Sequence, residues 1–223
     1  MMPLAARTLY MVVISHRGFW RARRQMNSPE AFVRSFKLGF GTETDVRDLD
    51  GRLVISHDIA RAGCLSFRDF IGLYQRWGRG LPLALNVKAD GLQELLKAAL
   101  RKYGIRNYFF FDMSVPDMRH YLRHKLRVFT RQSEYEREPA LYAAARGVWL
   151  DEFESHWITE REMRRHRRAG KRVCIVSPEL HGRSHLREWK HYRAMERRTG
   201  IRDVLLCTDY PGEARAFFAE GAS

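Results

Sequence analysis

The chain has 223 residues and a formal net charge of +14, a length that suits one domain. Hydrophobic residues make up 45% and aromatic residues 12%, enough to bury a sizeable core, so a disordered chain is excluded. No apolar run reaches the roughly 18 residues of a membrane-spanning helix. The 3 widely spaced cysteines exclude a disulfide scaffold and a zinc ribbon. Because the first residues also lack the features of a signal peptide, we expect a cytoplasmic protein with a single domain over residues 1–223.

Short apolar runs that predict strands alternate with helical segments along the chain. The runs lie at 10–14, 42–46, 81–87, 108–111, 127–130, 148–150, 173–176 and 204–207. The second continues through the turn signal Asp50-Gly51 into a return run at 53–55, which predicts a hairpin. Helices are predicted from Ser28-Pro29 to Gly39 and at 90–103, 115–124, 159–169, 186–199 and 211–220.

This alternation predicts an α/β fold, a (β/α)8 TIM barrel in one domain. An open, doubly wound sheet is the main competitor. That fold usually carries a glycine-rich phosphate loop after its first strand, and the sequence has none there.

Polar residues follow the predicted strands, where the active site of such a barrel lies. They are His16, Arg17, Glu43, Asp45, His57, Asp58, Asn86, Lys88, Asp112, Arg131, Asp151, Glu179 and Asp209. Glu43 and Asp45 are two residues apart on one strand, so both point the same way. Two close carboxylates repel each other unless a cation lies between them, and oxygen ligands suit Mg²⁺ or Ca²⁺. The alternative for this pair is a salt bridge to Arg17 or Lys88.

Two histidines, His16 and His57, follow predicted strands that are neighbours in the sequence. Two imidazoles beside one phosphorus could act as general acid and general base. A lone histidine is more often structural, but two beside paired carboxylates favour catalysis. Lys88 near a metal fits phosphate binding, or it serves as a counter-ion.

A dense set of motifs runs through residues 16–58 and returns near the end of the chain. It comprises HRG at 16–18, N-x-x-x-A-F at 27–32, G-x-x-x-E-x-D-V at 39–46, D-G-x-x-V-x-x-H-D at 50–58 and T-D-x-P at 208–211. This set resembles the glycerophosphodiester phosphodiesterase family. The resemblance implies a TIM barrel, a phosphoric diester hydrolase of lipid metabolism and a bound divalent cation, Mg²⁺ or Ca²⁺.

The resemblance also implies a role for six residues. It assigns the acid/base pair to His16 and His57, phosphate binding to Arg17 and Lys88, and the metal to Glu43 and Asp45. The family is similar in outline to the phosphatidylinositol-cleaving phospholipases, in which a substrate hydroxyl attacks first and a cyclic intermediate forms.

The sequence departs from the family pattern in two places. The third strand of the family usually reads E-x-K and supplies a third acidic metal ligand, but here it reads Asn86-Val87-Lys88. Asn86 keeps a carbonyl oxygen and loses a charge, so Asp112 and Asp151 are candidates for a further contact with metal or substrate. The segment between Asp58 and the next helix is also short, where the family often carries an insertion that shapes the headgroup site.

Two other functions stay open beside hydrolysis of a small phosphodiester substrate. The first is a catalytically weak barrel that binds a phosphorylated ligand, which the loss of an acid at Asn86 favours. The second is a binder of anionic surfaces through the arginine-rich stretches at 21–24 and 161–172. No nucleic-acid-binding motif is present, so we expect no nucleic-acid partner, while peripheral contact with an anionic membrane stays open.

Overall fold

The computed structural model describes residues 11–219. Tyr10, predicted to begin the first strand, and Glu220, predicted to end the last helix, lie outside the described residues. Residues 1–10, on which the prediction about a signal peptide partly depends, also lie outside the described residues. No helix within the described range is long and apolar enough to cross a membrane.

Strands and helices follow the predicted order, with two elements added to those whose bounds were predicted: a short strand at Leu65–Ser66 and a helix at Phe67–Trp77. The strands are β1 (Met11–His16), β2 (Gly41–Leu49), β3 (Arg52–Ile55), β4 (Leu65–Ser66), β5 (Leu83–Val87), β6 (Tyr108–Phe111), β7 (Phe129–Gln132), β8 (Gly147–Leu150), β9 (Arg172–Val176) and β10 (Val204–Thr208). The α-helices are α1 (Pro29–Lys37), α2 (Phe67–Trp77), α3 (Gln93–Lys102), α4 (Val115–Arg123), α5 (Glu160–Arg168), α6 (Leu186–Thr199) and α7 (Pro211–Ala219).

Eight strands pair in parallel and close into a barrel, so the predicted TIM barrel is confirmed. From β1 the pairing runs through β2 and β5 to β6 on one side, and through β10, β9 and β8 to β7 on the other. The two arms meet at a parallel bridge between Phe110 and Val128. There the Phe110 N–H donates a 2.8 Å hydrogen bond to the Arg127 carbonyl.

The predicted hairpin extends the barrel wall beyond β2. β3 pairs antiparallel with the second half of β2, and β4 pairs antiparallel with β3. Asp50 and Gly51 form the turn with φ of 50° and 74°, the left-handed region that asparagine, aspartate and glycine tolerate best. The hairpin therefore brings the chain back to the level of Asp45, where the Ser56 N–H donates to the Asp45 carbonyl at 3.1 Å.

Aromatic side chains fill the barrel interior. Phe109 stacks on Phe129 and Phe111 stacks on Trp149, each pair with ring centroids 3.8 Å apart. Phe110, between two inward-pointing neighbours on β6, instead packs on Tyr121 of α4, as the alternation of side chains along a strand requires. The interior is thus a packed core, and open space is left at the ends of the strands.

Candidate functional site

A cavity of about 420 Å³ opens at the carboxyl ends of the barrel strands. Most of the predicted site residues line it: His16, Arg17, Glu43, Asn86, Lys88, Asp112, Arg131, Asp151, Glu179 and Asp209. Strand register accounts for this, since His16 lies beside Glu43 and Asp45 lies beside Asn86 on neighbouring strands. Arg23, His181 and Phe153 also line the cavity.

The turn after β1 sets the position of the first two site residues. Arg17 and Gly18 have φ of 54° and 84°, and a Cβ on Gly18 would lie 2.9 Å from the backbone and side chain of Ala31. Only glycine combines this conformation with so close an approach to α1. The turn directs the Arg17 N–H to the carbonyl of Glu43 at 3.0 Å, which fixes His16 and Arg17 against β2.

His16 is held by an acid at the end of the last barrel strand. Its Nδ1 lies 2.7 Å from Oδ1 of Asp209, and its Nε2 lies 3.9 Å from Oε2 of Glu43. The Asp209 N–H donates to Oε1 of Glu179 at 3.1 Å, and the Thr208 hydroxyl also bonds that oxygen. Because a carboxylate only accepts hydrogen bonds, Nδ1 must carry the proton, which leaves Nε2 free to accept one.

Asp45 is fully buried and is surrounded by donors and cations. Its Oδ2 lies 2.9 Å from Nε of Arg17 and accepts a 2.8 Å hydrogen bond from Nδ2 of Asn27. Its Oδ1 lies 3.5 Å from Nζ of Lys88. Asp45 therefore forms salt bridges with both Arg17 and Lys88, the partners predicted as the alternative to a bound cation. These salt bridges hold the two basic side chains next to each other at the cavity wall.

Asn27 is a site residue that the sequence did not single out. Its Oδ1 accepts a 2.8 Å hydrogen bond from the Thr44 hydroxyl while its amide binds Asp45. Its φ of 59° is one that asparagine tolerates better than most residues. The sequence feature that points to Asn27 is its position at the start of the N-x-x-x-A-F motif.

Glu43 is buried next to Asp45, and both facts disfavour its ionised form. Burial is the larger cause, and together with the Asp45 charge it raises the pKa of Glu43 to about 7, although His16, Arg17 and Lys88 act in the opposite direction. The carboxyl is therefore poised between its neutral and ionised forms near neutral pH. An added positive charge would favour the carboxylate.

The oxygen atoms around Glu43 are of the kind that bind a hard cation. Oδ1 of Asp45 and Oδ1 of Asn86 are buried and have no hydrogen-bond partner among the described residues, although such oxygens are nearly always paired in proteins. Within residues 11–219, no three His, Cys, Asp or Glu side chains converge as a metal site. A cation held by Glu43 and Asp45 would thus take its third protein ligand from the Asn86 amide.

The far wall of the cavity carries two further acids, each bonded to protein. Asp112 has a φ of 65°, accepts a 3.1 Å hydrogen bond from Nδ2 of Asn86 and lies 3.3 Å from Arg131. Asp151 lies 3.0 Å from Nε2 of His181, and burial raises the pKa of Asp151. The proposed extra contacts of Asp112 and Asp151 with metal or substrate therefore compete with these partners.

His57 lies in an adjoining cavity of about 480 Å³. That cavity shares Arg17 and Met26 with the one around His16. The His57 side chain is 47% exposed, and its Nδ1 lies 2.9 Å from Oδ1 of Asp58. The two histidines thus line neighbouring cavities with Arg17 common to both.

Comparison with solved structures identifies the fold. No protein-family model matches the sequence, and no curated protein matches it. A Galdieria sulphuraria protein assigned as a glycerophosphodiester phosphodiesterase superposes with a TM-score of 0.75 and 18% identity, covering 96% of this chain and 100% of its own. A glycerophosphodiester phosphodiesterase from Parabacteroides distasonis gives 0.69 and 15%, covering 97% and 100%.

A third structure, an Oleispira antarctica phosphodiesterase in complex with the product sn-glycerol-3-phosphate, gives a TM-score of 0.61 and 16% identity. It covers 93% of this chain and 96% of its own. The chain therefore has the fold of the glycerophosphodiester phosphodiesterases, and the resemblance drawn from its motifs is confirmed at the level of the fold.

Proposed function

We propose that this protein is a phosphoric diester hydrolase that cleaves a glycerophosphodiester or a related small phosphodiester to a phosphate monoester and an alcohol. One observation carries the proposal: in a barrel of this fold, His16 is bound to Asp209 and faces the cavity beside Arg17 and Lys88. Attack on the phosphorus of a negatively charged diester requires a base and nearby cations, and this cavity brings one base and two cations together.

His16 and His57 are the proposed acid/base pair. Nε2 of His16 takes the proton of the attacking substrate hydroxyl as its oxygen bonds to phosphorus, and the bond to the departing alcohol breaks. His57 gives that alcohol its proton from the adjoining cavity. Water then opens the resulting cyclic diester with the two proton transfers reversed, which returns both histidines to their starting states.

Arg17 and Lys88 are the proposed phosphate ligands. Both side chains are about one-fifth exposed, at 19% and 20%, and both reach the cavity from their contact with Asp45. Asp45 thus keeps two long, flexible side chains at one place before substrate arrives. This arrangement lowers the entropy cost of binding the nonbridging oxygens.

Glu43, Asp45 and the amide oxygen of Asn86 would hold the divalent cation, Mg²⁺ or Ca²⁺. When bound, such a cation offsets charge on the nonbridging phosphate oxygens. Two charged ligands in place of three give weaker binding, so we expect a high metal requirement. The residues of the chain supply all the proton transfers.

The test is release of a phosphate monoester from a panel of glycerophosphodiesters. Mg²⁺, Ca²⁺ and Mn²⁺ are each added and then chelated, and Glu43→Gln is assayed in parallel. We expect turnover that needs a cation and a higher cation requirement in the variant. No turnover on any substrate by the folded protein would overturn the proposal, and an unchanged cation requirement would remove Glu43 from the metal site.

The second candidate function is binding of a phosphorylated ligand without efficient turnover. It is favoured by Asn86, which lacks the charge of an acidic ligand, and by Asp45, which Arg17 and Lys88 already neutralise. Calorimetry with glycerol phosphate separates the two functions. Tight binding together with absent diester cleavage would select this candidate.

A further inference from the structure

A contiguous arc of the barrel mouth combines exposed apolar side chains with exposed arginines. The arc runs from the start of α6 through the start of α7 and the β1–α1 loop to the β3–β4 loop. The His185 and Tyr210 rings lie 5.0 Å apart, and a Cβ on Gly212 would lie 3.5 Å from the Phe19 ring. The β1–α1 and β3–β4 loops form the two walls of the cavity around His57. The starts of α6 and α7 and the β1–α1 loop follow the carboxyl ends of barrel strands, so they share the face on which the catalytic cavity opens. The β3–β4 loop adjoins that face through the cavity that it shares with the β1–α1 loop.

Three large apolar side chains project from this arc into solvent. Ile59 in the β3–β4 loop is 79% exposed, Leu186 at the start of α6 is 52% exposed, and Tyr210 before α7 is 39% exposed. Ile59 is the most exposed large hydrophobic residue within the described part of the chain. Several exposed apolar side chains on one face, rimmed by polar residues, are of the kind that mark a protein or membrane interaction site.

Exposed basic residues surround these apolar side chains. They are Arg21, Arg23, Arg24, Arg61, Arg187 and Lys190. The exposed acids of the same arc are Glu30, Asp58 and Glu213, so positive charge is in excess. Among the residues that the structure describes, Arg21, Arg23 and Arg24 form no salt bridge. Three neighbouring exposed cations without counter-ions form a positive patch that attracts an anionic partner.

We propose that this arc docks on an anionic phospholipid bilayer, with Ile59 and Leu186 entering the boundary between headgroups and acyl chains. The arginines would contact lipid phosphates, and the mouth of the catalytic cavity would face the membrane surface. The β1–α1 loop adds Trp20 between Phe19 and Arg21, and tryptophan is enriched at the membrane–water boundary. Charge and apolar side chains together fit this partner because peripheral membrane binding combines both kinds of attraction.

The apolar tips distinguish a bilayer from a nucleic acid as the partner. A nucleic acid would use the arginines and leave an exposed isoleucine and leucine without contacts. A bilayer uses both, so removal of either set weakens binding. The proposal does not depend on the proposed reaction, because docking is measured without substrate.

The test is flotation of the full chain with vesicles of phosphatidylcholine alone and of phosphatidylcholine with phosphatidylglycerol. We expect binding to the anionic vesicles only, and a weaker affinity at about 1 M salt than at about 0.1 M. Ile59→Asp combined with Leu186→Asp should weaken the affinity by about tenfold or more. Arg21→Glu combined with Arg24→Glu should weaken it by at least about tenfold.

Matched control variants lie on exposed surfaces at the opposite end of the barrel. Leu38→Asp removes an apolar side chain that is 40% exposed at the end of α1. Arg101→Glu combined with Arg123→Glu makes the same charge change at the ends of α3 and α4. Controls that bind like the wild type, beside weakened variants of the arc, support the docking surface.

Three results would overturn the proposal. They are no binding to anionic vesicles, equal losses in the control and arc variants, or full affinity in the Ile59→Asp/Leu186→Asp variant. The last result would leave a purely electrostatic attraction, and competition by a short DNA duplex would then identify a general polyanion binder. Turnover of a water-soluble diester, measured without vesicles, keeps the failure of docking separate from the failure of the proposed reaction.

Discussion

Asp209→Asn tests whether the carboxylate behind His16 supports proton transfer. The substitution keeps the shape of the side chain and removes its charge. Asp209 bonds Nδ1 of His16 at 2.7 Å, and its own N–H stays bound to Glu179. The asparagine amide can present its NH₂ group to Nδ1, which would move the imidazole proton to Nε2 and block the base.

The expected loss follows from the strength of that bond. A hydrogen bond to a charged group contributes about 1.5–3 kcal/mol, which corresponds to about a 10- to 150-fold fall in kcat. KM should change little because Asp209 acts through His16 and is not a proposed phosphate ligand. The melting temperature should also stay within about 3 °C, since the bond lies at the cavity rim.

The assay is steady-state kinetics on the diester that the wild type cleaves best, with thermal unfolding measured on the same samples. Asp90→Asn is the matched control, because Asp90 is an exposed acid on the same face whose side chain bonds only Ser114 within residues 11–219. The control should keep full kcat. A kcat of Asp209→Asn equal to that of the wild type, or a rise in KM alone, would refute the role given to the His16–Asp209 pair.

Further predictions concern the metal, the buried acid of α6 and the turn after β1. Asn86→Glu should lower the half-saturating cation concentration by about tenfold, since an added carboxylate strengthens binding of a hard cation; an unchanged titration would place the third ligand elsewhere. Burial raises the pKa of Glu196 from 4.5 to about 8, so the folded state keeps this proton to a higher pH than the unfolded state, and the contribution of Glu196 to stability falls as pH rises from about 5 to about 8. Between pH 5 and about 9, the free energy of unfolding measured in urea should fall by about 4 kcal/mol less in Glu196→Gln than in the wild type. The same pH dependence in both proteins would contradict this. Gly18→Ala should lower the free energy of unfolding by about 2–3 kcal/mol, because its Cβ would clash with Ala31. The control Gly51→Ala should cost about 1 kcal/mol, since its added Cβ meets no described atom within 4 Å. Equal losses in the two variants would argue against the close approach of Gly18 to Ala31.

The barrel and one side of its site could be predicted because the required signals are local. Buried parallel strands produce continuous apolar runs, and helices with glycine ends separate them. The motifs of residues 16–58 are close in sequence, and their spacing reflects local geometry such as the left-handed turn at Gly18. The fold was thus recognisable although no family model matches the sequence.

Contacts between distant parts of the chain could not be predicted in the same way. His181 meets Asp151 only because β8 and β9 are neighbours in the barrel, and no local pattern encodes that pairing. His57 follows the short antiparallel β3 and not a barrel strand. Its imidazole therefore lies outside the ring of strand ends, in the cavity beside the one that holds His16.

The most direct test of the proposed reaction is phosphorus NMR of a glycerophosphodiester incubated with wild-type protein and a divalent cation, beside His16→Asn. We predict that the diester signal of the wild-type sample is replaced by that of a phosphate monoester, while the variant sample keeps its diester. Conversion by the variant at the wild-type rate would contradict the role of His16. An unchanged diester in both samples, from folded protein with cation present, would contradict the proposed hydrolysis itself.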